Sequence, residues 1–246
     1  MVMWGLFNLF DKVRRYFTFS KEELKSLVIA ILILGFVVGF DDGRETFEFF
    51  YWMRNMFSCI LIVALAIIVR EAGHRIYALQ TGHRAELRLW WFGLITALIL
   101  AIISFGKVIL LIYGGIILHF MPRHRIGYFR YELSYNDMGL IALLGNIANL
   151  VLAFFFKLFM FLPNTALIEK AILVNILMAC MNMIPIPPLD GSLVLYASRS
   201  VYVFTFGLIL AASALLLFTP IIVAAVGSIV IAIVFIFLFQ IFWESK

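Results

Sequence analysis

A cluster of ionisable residues interrupts a long apolar run near residue 70. The run contains the sequence IIVREAGHRIYA, which holds Arg70, Glu71, His74 and Arg75. On an α-helix, residues 70 and 74 share one face and Glu71 lies beside them. Glutamate and histidine commonly carry protons, and an ionisable residue near the bilayer centre costs roughly 2.5 to 3.5 kcal/mol, so this face is a candidate functional site. The alternative is that both arginines snorkel to the inner interface while His74 packs as an ordinary helix residue.

A second polar segment follows a later apolar run. It reads NMIPIPPLDGS, residues 182–192, and its three prolines stop a helix and keep the chain extended. Irregular backbone at membrane depth is tolerated only where it is buried in protein or lines a wet cavity. We therefore expect Asp190 in such a cavity, with Gly191 allowing a turn or a close backbone approach. The alternative is a proline-rich turn at the membrane interface, in which Asp190 caps the next helix.

A stripe of small residues lies on the apolar run between these two segments. Its members are Gly139, Ala142, Gly145, Ala148 and Asn149. Such a stripe is typical of close helix packing in membranes. Asn149 could hydrogen-bond across helices or face a substrate, and packing is the interpretation that the stripe favours.

The composition is that of a membrane protein. Hydrophobic residues make up 65% of the chain, charged residues make up 13%, and the mean hydropathy is +1.08; a soluble domain is about half apolar and a quarter charged. Cys59 and Cys180 lie in apolar stretches without the spacing of a disulfide framework or a zinc clip, which indicates free thiols. Residues 1–20 mix basic and aromatic side chains and lack the apolar core of a signal peptide, so we predict a helix lying in the membrane interface.

Apolar runs of about 20 residues are long enough to cross roughly 30 Å of hydrocarbon. Such runs lie near 24–40, 56–79, 89–105, 138–161, 165–183, 198–218 and 221–242. Ser20 and Glu23 fit a capping box before the first of them. The shorter piece at 108–121 fits a tilted helix, one arm of a re-entrant hairpin, or a strand. We predict an all-α polytopic membrane protein, a bundle of about six to eight transmembrane helices, with a re-entrant or hairpin element near 106–121 left open.

The distribution of Lys and Arg predicts the orientation of the chain, because cytoplasmic loops retain these residues during insertion. Loop 41–55 carries an acidic excess, as expected outside. Basic residues cluster before the first span and in the next two inner segments: Lys12, Arg14, Arg15, Lys21, Lys25, then Arg70, Arg75, Arg84, Arg88, then Arg123, Arg125 and Arg130. Both termini are therefore expected in the cytoplasm, with the chain in the cell membrane. The net charge of +5 would face anionic lipid, and no basic domain suits nucleic acid.

Together, the polar segments resemble the motifs of the site-2 protease family, the intramembrane zinc metalloproteases, and particularly its archaeal-type members. The family's NxxPxPxxDG motif is complete at Asn182, Pro185, Pro187, Asp190 and Gly191. Its HExxH motif reads Arg-Glu-Ala-Gly-His at 70–74, and the sequence GLIALLGNIANLVLAF resembles its GPxxN helix, with Asn146 where proline is usual. The resemblance covers roughly residues 20–195.

The resemblance also suggests how the chain is organised. No long polar linker divides it, so we predict one integral membrane domain over residues 1–246. Within it, residues 1–20 form the interfacial segment, 20–195 form the protease-like core, and 196–246 form additional C-terminal transmembrane helices.

The resemblance implies roles for individual residues. His74 and Asp190 would be zinc ligands, and Glu71 would be the general base that deprotonates the metal-bound water. Catalytic zinc uses three protein ligands and lowers the pKa of its water toward neutrality. Asn182 resembles a family residue whose amide could bind the substrate backbone or the oxyanion.

Arg70 departs from the family pattern, because it stands where the motif has its first histidine. A protonated guanidinium cannot donate a lone pair, and its charge repels a dication. We therefore expect Arg70 to pair with Asp190 or Glu71, neutralising carboxylates that a metal would otherwise neutralise. Zinc binding and hydrolysis would be weakened or lost. Replacement ligands could come from His83, His119 or His124, all of which lie beside basic residues.

Three functions follow from these patterns. The first is a site-2-type metallopeptidase that cuts transmembrane segments of membrane proteins. The second is a pseudoprotease that binds membrane helices without cutting them, as an adaptor or regulatory subunit. The third is a transporter with charged gate residues, which the paired motifs argue against. The sequence identifies neither the substrate nor the oligomeric state.

Overall fold

The computed structural model describes residues 2–44, 46–120 and 134–241. Helices dominate this part of the chain, so the predicted all-α membrane bundle is confirmed. The elements in chain order are α1 Val2–Tyr16, α2 Lys21–Gly39, α3 Phe49–Thr81, β1 His83–Leu89, α4 Trp91–Ile103, β2 Gly114–Phe120, α5 Tyr135–Leu158, α6 Thr165–Asn182, α7 Asp190–Ala197, α8 Arg199–Phe218 and α9 Ile221–Phe239.

Five of the described helices are long and apolar enough to cross a membrane: α3, α5, α6, α8 and α9. Two predicted spans fall short of that standard for physical reasons. α2 has 19 residues, but lysines and glutamates fill its first turns. α4 has only 13 residues, because Leu89 of the predicted span near 89–105 belongs to strand β1 and residues 104–106 form a turn.

The open segment near 106–121 contains a strand. β2 pairs with β1 in antiparallel register, with Leu87 opposite Ile116 and His83 opposite Phe120. The sequence patterns predict a basic inner segment at Arg84 and Arg88 and no strand, so β1 is new, and the inner placement of the segment stays a prediction. Its residues alternate, with His83, Ala85 and Leu87 buried and the residues between them more exposed, as expected for a strand with one face on the core.

The start of α2 is fixed by a capping box and an ion pair. The Ser20 side chain accepts from the Glu23 amide and the Glu23 carboxylate accepts from the Ser20 amide, as predicted. Glu23 also pairs with Arg75 of α3 and accepts a hydrogen bond from the Leu87 amide of β1 at 3.0 Å. One buried carboxylate therefore joins α2, α3 and β1.

The buried apolar side chains form two large clusters, one of which contains residues of α3 and the other residues of α5. One cluster joins α2, α3, α4 and α6, and the other joins α5, α6, α7 and α8. Helices α3 and α5 approach closely at Gly73. A Cβ added there would lie only 2.8 Å from the Leu144 carbonyl oxygen, so only glycine fits without a shift. The small-residue stripe of α5 therefore packs against its neighbours as predicted. Cys59 and Cys180 are free thiols.

Two predicted features, the basic segment after β2 and the interfacial placement of α1, are not tested by the fold. Arg123, Arg125, Arg130 and His124 lie outside the described residues. α1 is a helix, as expected for the interfacial segment, and its Lys12 ammonium donates to the Leu79 carbonyl near the end of α3 at 3.1 Å. Its placement in the membrane interface, like the orientation of both termini, stays a prediction.

Candidate active site

Arg70 lies at the centre of a buried polar cluster. Its Nη2 donates to Asp190 Oδ2 at 2.5 Å, and its Nη1 lies 3.8 Å from Glu71 Oε1. The exposed fractions of the three side chains are 0%, 0% and 1%, so the ion pairs are shielded from solvent. The sequence alternative in which Arg70 snorkels to an interface is therefore wrong. It is also wrong for Arg75, which is 2% exposed and pairs with Glu23.

Asp190 reaches this cluster because the proline-rich segment turns the chain back into the bundle. α6 ends at Asn182, the prolines at 185, 187 and 188 are exposed, and α7 begins at Asp190. A Cβ on Gly191 would lie 2.0 Å from the Met183 carbonyl oxygen, so glycine permits the close approach predicted there. Asp190 is the first residue of α7 and its Oδ2 accepts from Arg70. The alternative capping role for its side chain is wrong.

His74 lies one turn after Arg70 on α3 and faces the same carboxylate. Its Nδ1 donates to the Ile141 carbonyl oxygen at 2.8 Å, and its Nε2 lies 3.3 Å from Asp190 Oδ2. Gly145 provides the space for the ring, because a Cβ there would lie 2.1 Å from His74 Cε1. A histidine held through Nδ1 by a backbone carbonyl presents Nε2 in a fixed direction, as metal-binding histidines commonly do.

Tyr113 is a site residue that the sequence interpretation missed. Its hydroxyl accepts from Arg70 Nη1 at 2.6 Å and donates to Glu71 Oε1 at 2.9 Å, and its side chain is fully buried. The tyrosine immediately precedes β2, so the strand pairing determines its position. A single tyrosine before Gly114 in an apolar segment gave no local signal of this role.

Asn146 is the second site residue that the sequence interpretation missed. Its Nδ2 donates to Asp190 Oδ2 at 3.0 Å and to the Ala142 carbonyl at 3.1 Å. The signal was present, because this is the position where the resembled helix motif has proline. An asparagine supplies a donor that proline lacks, so this departure adds a second hydrogen bond to the same carboxylate oxygen.

The two other predicted asparagines are buried but do not bond to the ion pair. Asn182 Nδ2 donates to the Leu111 carbonyl at 3.2 Å and to the Met178 carbonyl at 2.8 Å, which ties the end of α6 to the segment before β2. Neither polar side-chain atom of Asn149 has a hydrogen-bond partner among the described residues. Their roles toward a substrate stay predictions.

Neither described candidate for a replacement ligand lies with His74 and Asp190. His83 is paired with Phe120, and His119 is opposite Arg84, at the end of the sheet farthest from Tyr113. His119 lies 3.4 Å from Glu86 instead. His124 lies outside the described residues.

The side chains in the cluster do not fit a catalytic zinc ion. Such a site needs three protein ligands around an open position. Here the donors are the His74 Nε2 and the Asp190 carboxylate, and the third corner is taken by the Arg70 guanidinium, a cation bonded to that carboxylate. Within residues 2–44, 46–120 and 134–241, no group of three or more His, Cys, Asp or Glu could hold a metal ion.

Comparison with known proteins found one clear relative. The chain is 29% identical over 184 residues to a protein of Methanocaldococcus jannaschii named "Putative zinc metalloprotease", and the alignment covers 73% of this chain and 86% of the relative. No family model matches the chain. No solved structure matches it either.

Proposed function

We propose that this chain is a site-2-protease-like membrane protein in which a buried ion pair takes the place of the zinc ion, and that it binds transmembrane segments of other membrane proteins without cutting them. The observation that carries the proposal is the 2.5 Å bond from Arg70 Nη2 to Asp190 Oδ2. It joins the position of the family's first histidine to the position of its distant carboxylate. The relative's name and the order of the motifs supply the family context.

Electrostatics explains why this arrangement would disfavour zinc. A zinc ion at His74 and Asp190 would have to displace a guanidinium that has no solvent to enter, because Arg70 is fully buried. Breaking a buried pair by taking one partner away costs about 3–5 kcal/mol. The displaced cation would also stay within a few ångströms of the metal, which raises the energy of the bound state further.

The binding part of the proposal rests on polar groups that have no partner in the described chain. These are Asp190 Oδ1 and both polar atoms of the Asn149 side chain. Buried polar groups in proteins are nearly always hydrogen-bonded. An unwound stretch of a transmembrane segment carries free amide and carbonyl groups that could supply these bonds, so the same groups that would orient a substrate can hold a ligand helix.

Metal analysis of the purified protein tests the zinc part of the proposal. We expect the natural chain to retain far less than one zinc per molecule, and Arg70→His to retain about one, because the substitution adds a third ligand and removes the cation. Arg70→Gln is the matched control, since it removes the charge without adding an imidazole. It should stay near the zinc content of the natural chain. A full zinc equivalent with Arg70 present would contradict the proposal.

Hydrolysis is the second candidate function, because the relative's name describes a metalloprotease and Glu71 stands at the position of the general base. The two candidates separate in a cleavage assay with a model transmembrane substrate in vesicles. We expect no cleavage by the natural chain and measurable cleavage by Arg70→His. Adding Glu71→Gln to that variant should lower the rate by about 10²–10⁴ while zinc remains bound. Cleavage by the natural chain would favour the peptidase instead.

Binding is tested with a fluorescent model transmembrane peptide that contains a helix-breaking proline. We expect energy transfer between this peptide and the labelled natural chain in nanodiscs, and weaker transfer with Asn149→Leu, which removes two unpartnered polar atoms at nearly constant volume. Val151→Leu, at an exposed position on the same helix, is the control. Equal transfer in all three proteins would contradict the role of the polar groups in binding.

A further inference from the structure

A polar pocket lies far from the Arg70 cluster, where helices α3 and α6 begin. It has a volume of about 400 Å³, and its polar lining comes from Asp42, Tyr51, Arg54, Asn55, Ser58, Asn164 and Lys170. Arg54 precedes Arg70 on the same helix by a distance of about 24 Å at 1.5 Å per residue. The pocket is therefore separate from the candidate active site, and none of the motif residues lines it.

The Lys170 ammonium is held in a fixed place on the pocket wall. Its Nζ donates to Asn55 Oδ1 at 2.5 Å. The amide of Asn55 donates in turn to the carbonyls of Gly39 at 3.1 Å and Asp41 at 3.4 Å, so the asparagine joins α3, α6 and the end of α2. A lysine has three N–H donors. The contact with Asn55 orients the group, and its other donors have no hydrogen bond among the described residues.

The charges that line the pocket leave it net positive. Arg54 is exposed and rests 5.1 Å from the centroid of the Tyr51 ring. Among the described residues, neither Arg54 nor Lys170 forms an ion pair with a carboxylate. Asp42 is the one described acid in the lining, and its Oδ1 accepts from the Arg44 amide at 3.2 Å. Two cations and one anion give a net charge of +1, which suits a singly charged anion.

The surroundings of the pocket match the interface of a membrane. Phe50 and Phe57 of α3 are 81% and 63% exposed, and Leu167 at the start of α6 is 39% exposed. Tyr51 and Trp52 add the aromatic residues that concentrate at headgroup level. A second cavity of about 220 Å³ shares Asp42 and Lys170 in its lining and adds the carboxylate of Asp41, so it does not extend the net positive charge. A polar pocket beside an exposed apolar surface fits an amphiphile better than a free ion.

We propose that this pocket binds the headgroup of an anionic phospholipid. Its phosphodiester carries one negative charge and would accept from the Arg54 guanidinium and the Lys170 ammonium, as phosphate groups do from such donors. The acyl chains would lie on the exposed apolar surface beside Leu167. This site does not depend on the proposed function of the Arg70 cluster.

The test measures thermal unfolding of the full chain in detergent with added short-chain lipid. We expect dioctanoyl phosphatidylglycerol to raise the unfolding midpoint by at least about 2 °C. Arg54→Gln/Lys170→Gln should raise the apparent dissociation constant at least about tenfold. Lys21→Gln/Lys25→Gln, which removes two exposed lysines of α2, is the control with the same charge change and should keep the shift.

Each other outcome decides against the proposal. Equal shifts from inorganic phosphate or glycerol 3-phosphate would assign the pocket to a free anion and overturn the lipid ligand. An equal shift from dioctanoyl phosphatidylcholine would overturn the charge match. No shift, or an undiminished shift in the double variant, would overturn the site. Arg54→Gln alone is measured as well, because it changes an exposed residue and leaves the contact between Lys170 and Asn55 intact.

Discussion

At the scale of single residues, Arg70 binds two carboxylates at once. It bonds directly to Asp190, and it reaches Glu71 through the Tyr113 hydroxyl, which accepts from the guanidinium and donates to the second carboxylate. A buried guanidinium is tolerated only when its N–H groups find acceptors, since an isolated charge in an apolar interior is far more costly than a paired one. The cluster therefore has to be considered as a unit.

The first prediction concerns the ion pair. Asp190→Leu removes the carboxylate and leaves Arg70 buried without its closest acceptor, so we expect a loss of about 3–5 kcal/mol in unfolding free energy. Arg70→Met/Glu71→Gln/Asp190→Leu removes the guanidinium and both of its carboxylate partners and should recover much of that loss, because no buried charge is then left without a partner. Denaturant titration in mixed micelles measures both values. A triple variant that is no more stable than Asp190→Leu would contradict this account.

The second prediction concerns the tyrosine hydroxyl. Tyr113→Phe keeps the ring and removes two hydrogen bonds to charged groups, so we expect a loss of about 2 kcal/mol. Tyr196→Phe is the matched control, since Tyr196 is 69% exposed, and its change should stay within about 0.5 kcal/mol. Equal effects of the two substitutions in the same titration would mean that the Tyr113 hydroxyl does not hold the cluster together.

At the scale of elements, the close packing of α3 against α5 brings His74 to its position. The imidazole lies over Gly145, and its Nδ1 lies 2.8 Å from the carbonyl of Ile141, one turn earlier on α5. A larger residue at either helix surface would push the imidazole away from Asp190. The small residues of α5 therefore serve the site as well as the packing.

The third prediction concerns the close packing of α3 against α5 at Gly145. In Gly145→Ala the new Cβ would lie 2.1 Å from His74 Cε1, so we expect a loss of about 1–3 kcal/mol from overpacking. Gly207→Ala on α8 is the control, because its new Cβ would first meet Phe235 at 3.4 Å, an ordinary contact. Alanine also favours helix by up to about 1 kcal/mol at both positions, so the control should be neutral or stabilising. Equal losses from both would contradict the steric explanation.

The elements also show which parts of the site the sequence could predict. The spacing of residues 70, 71 and 74 on one helix, and the prolines before Asp190, gave the elements that carry them, because helix periodicity and proline geometry are local properties. β1 was predictable in principle from the alternation in HRAELRL, but the sequence analysis used only its charges, as part of a basic inner segment. Tyr113 could not be assigned to the site, because its contacts join residues far apart in the chain. Asn146 was assignable in principle, because it stands where the resembled helix motif has proline.

At the scale of the whole molecule, the C-terminal helices differ in how much they belong to the core. α8 contributes Ile209, Ala212 and Leu216 to the cluster that also holds α5 and α6. The hydroxyl of Tyr202 on α8 donates to the Met183 carbonyl at 3.1 Å, next to the turn that delivers Asp190. α9 packs mainly against α8, and only 17% of the residues in its 18-residue apolar stretch are buried. α8 therefore supports the site, whereas α9 presents most of its surface outward.

The last prediction separates these two helices by truncation. Deleting residues 220–246 removes α9, whose buried residues are only Ala224, Ser228 and Ala232, so we expect a cooperative unfolding transition at a midpoint lowered by a few degrees. Deleting residues 198–246 also removes α8. This deletion exposes the apolar side chains of α5 and α6 that share a cluster with Ile209, and it removes the hydrogen bond from Tyr202 to the Met183 carbonyl. We expect that product to aggregate in detergent or to unfold without a cooperative transition. Size-exclusion chromatography and thermal unfolding compare the two products. If loss of α9 alone abolishes cooperative unfolding, the core extends to the end of α9; if loss of both helices leaves it intact, the support from α8 is dispensable.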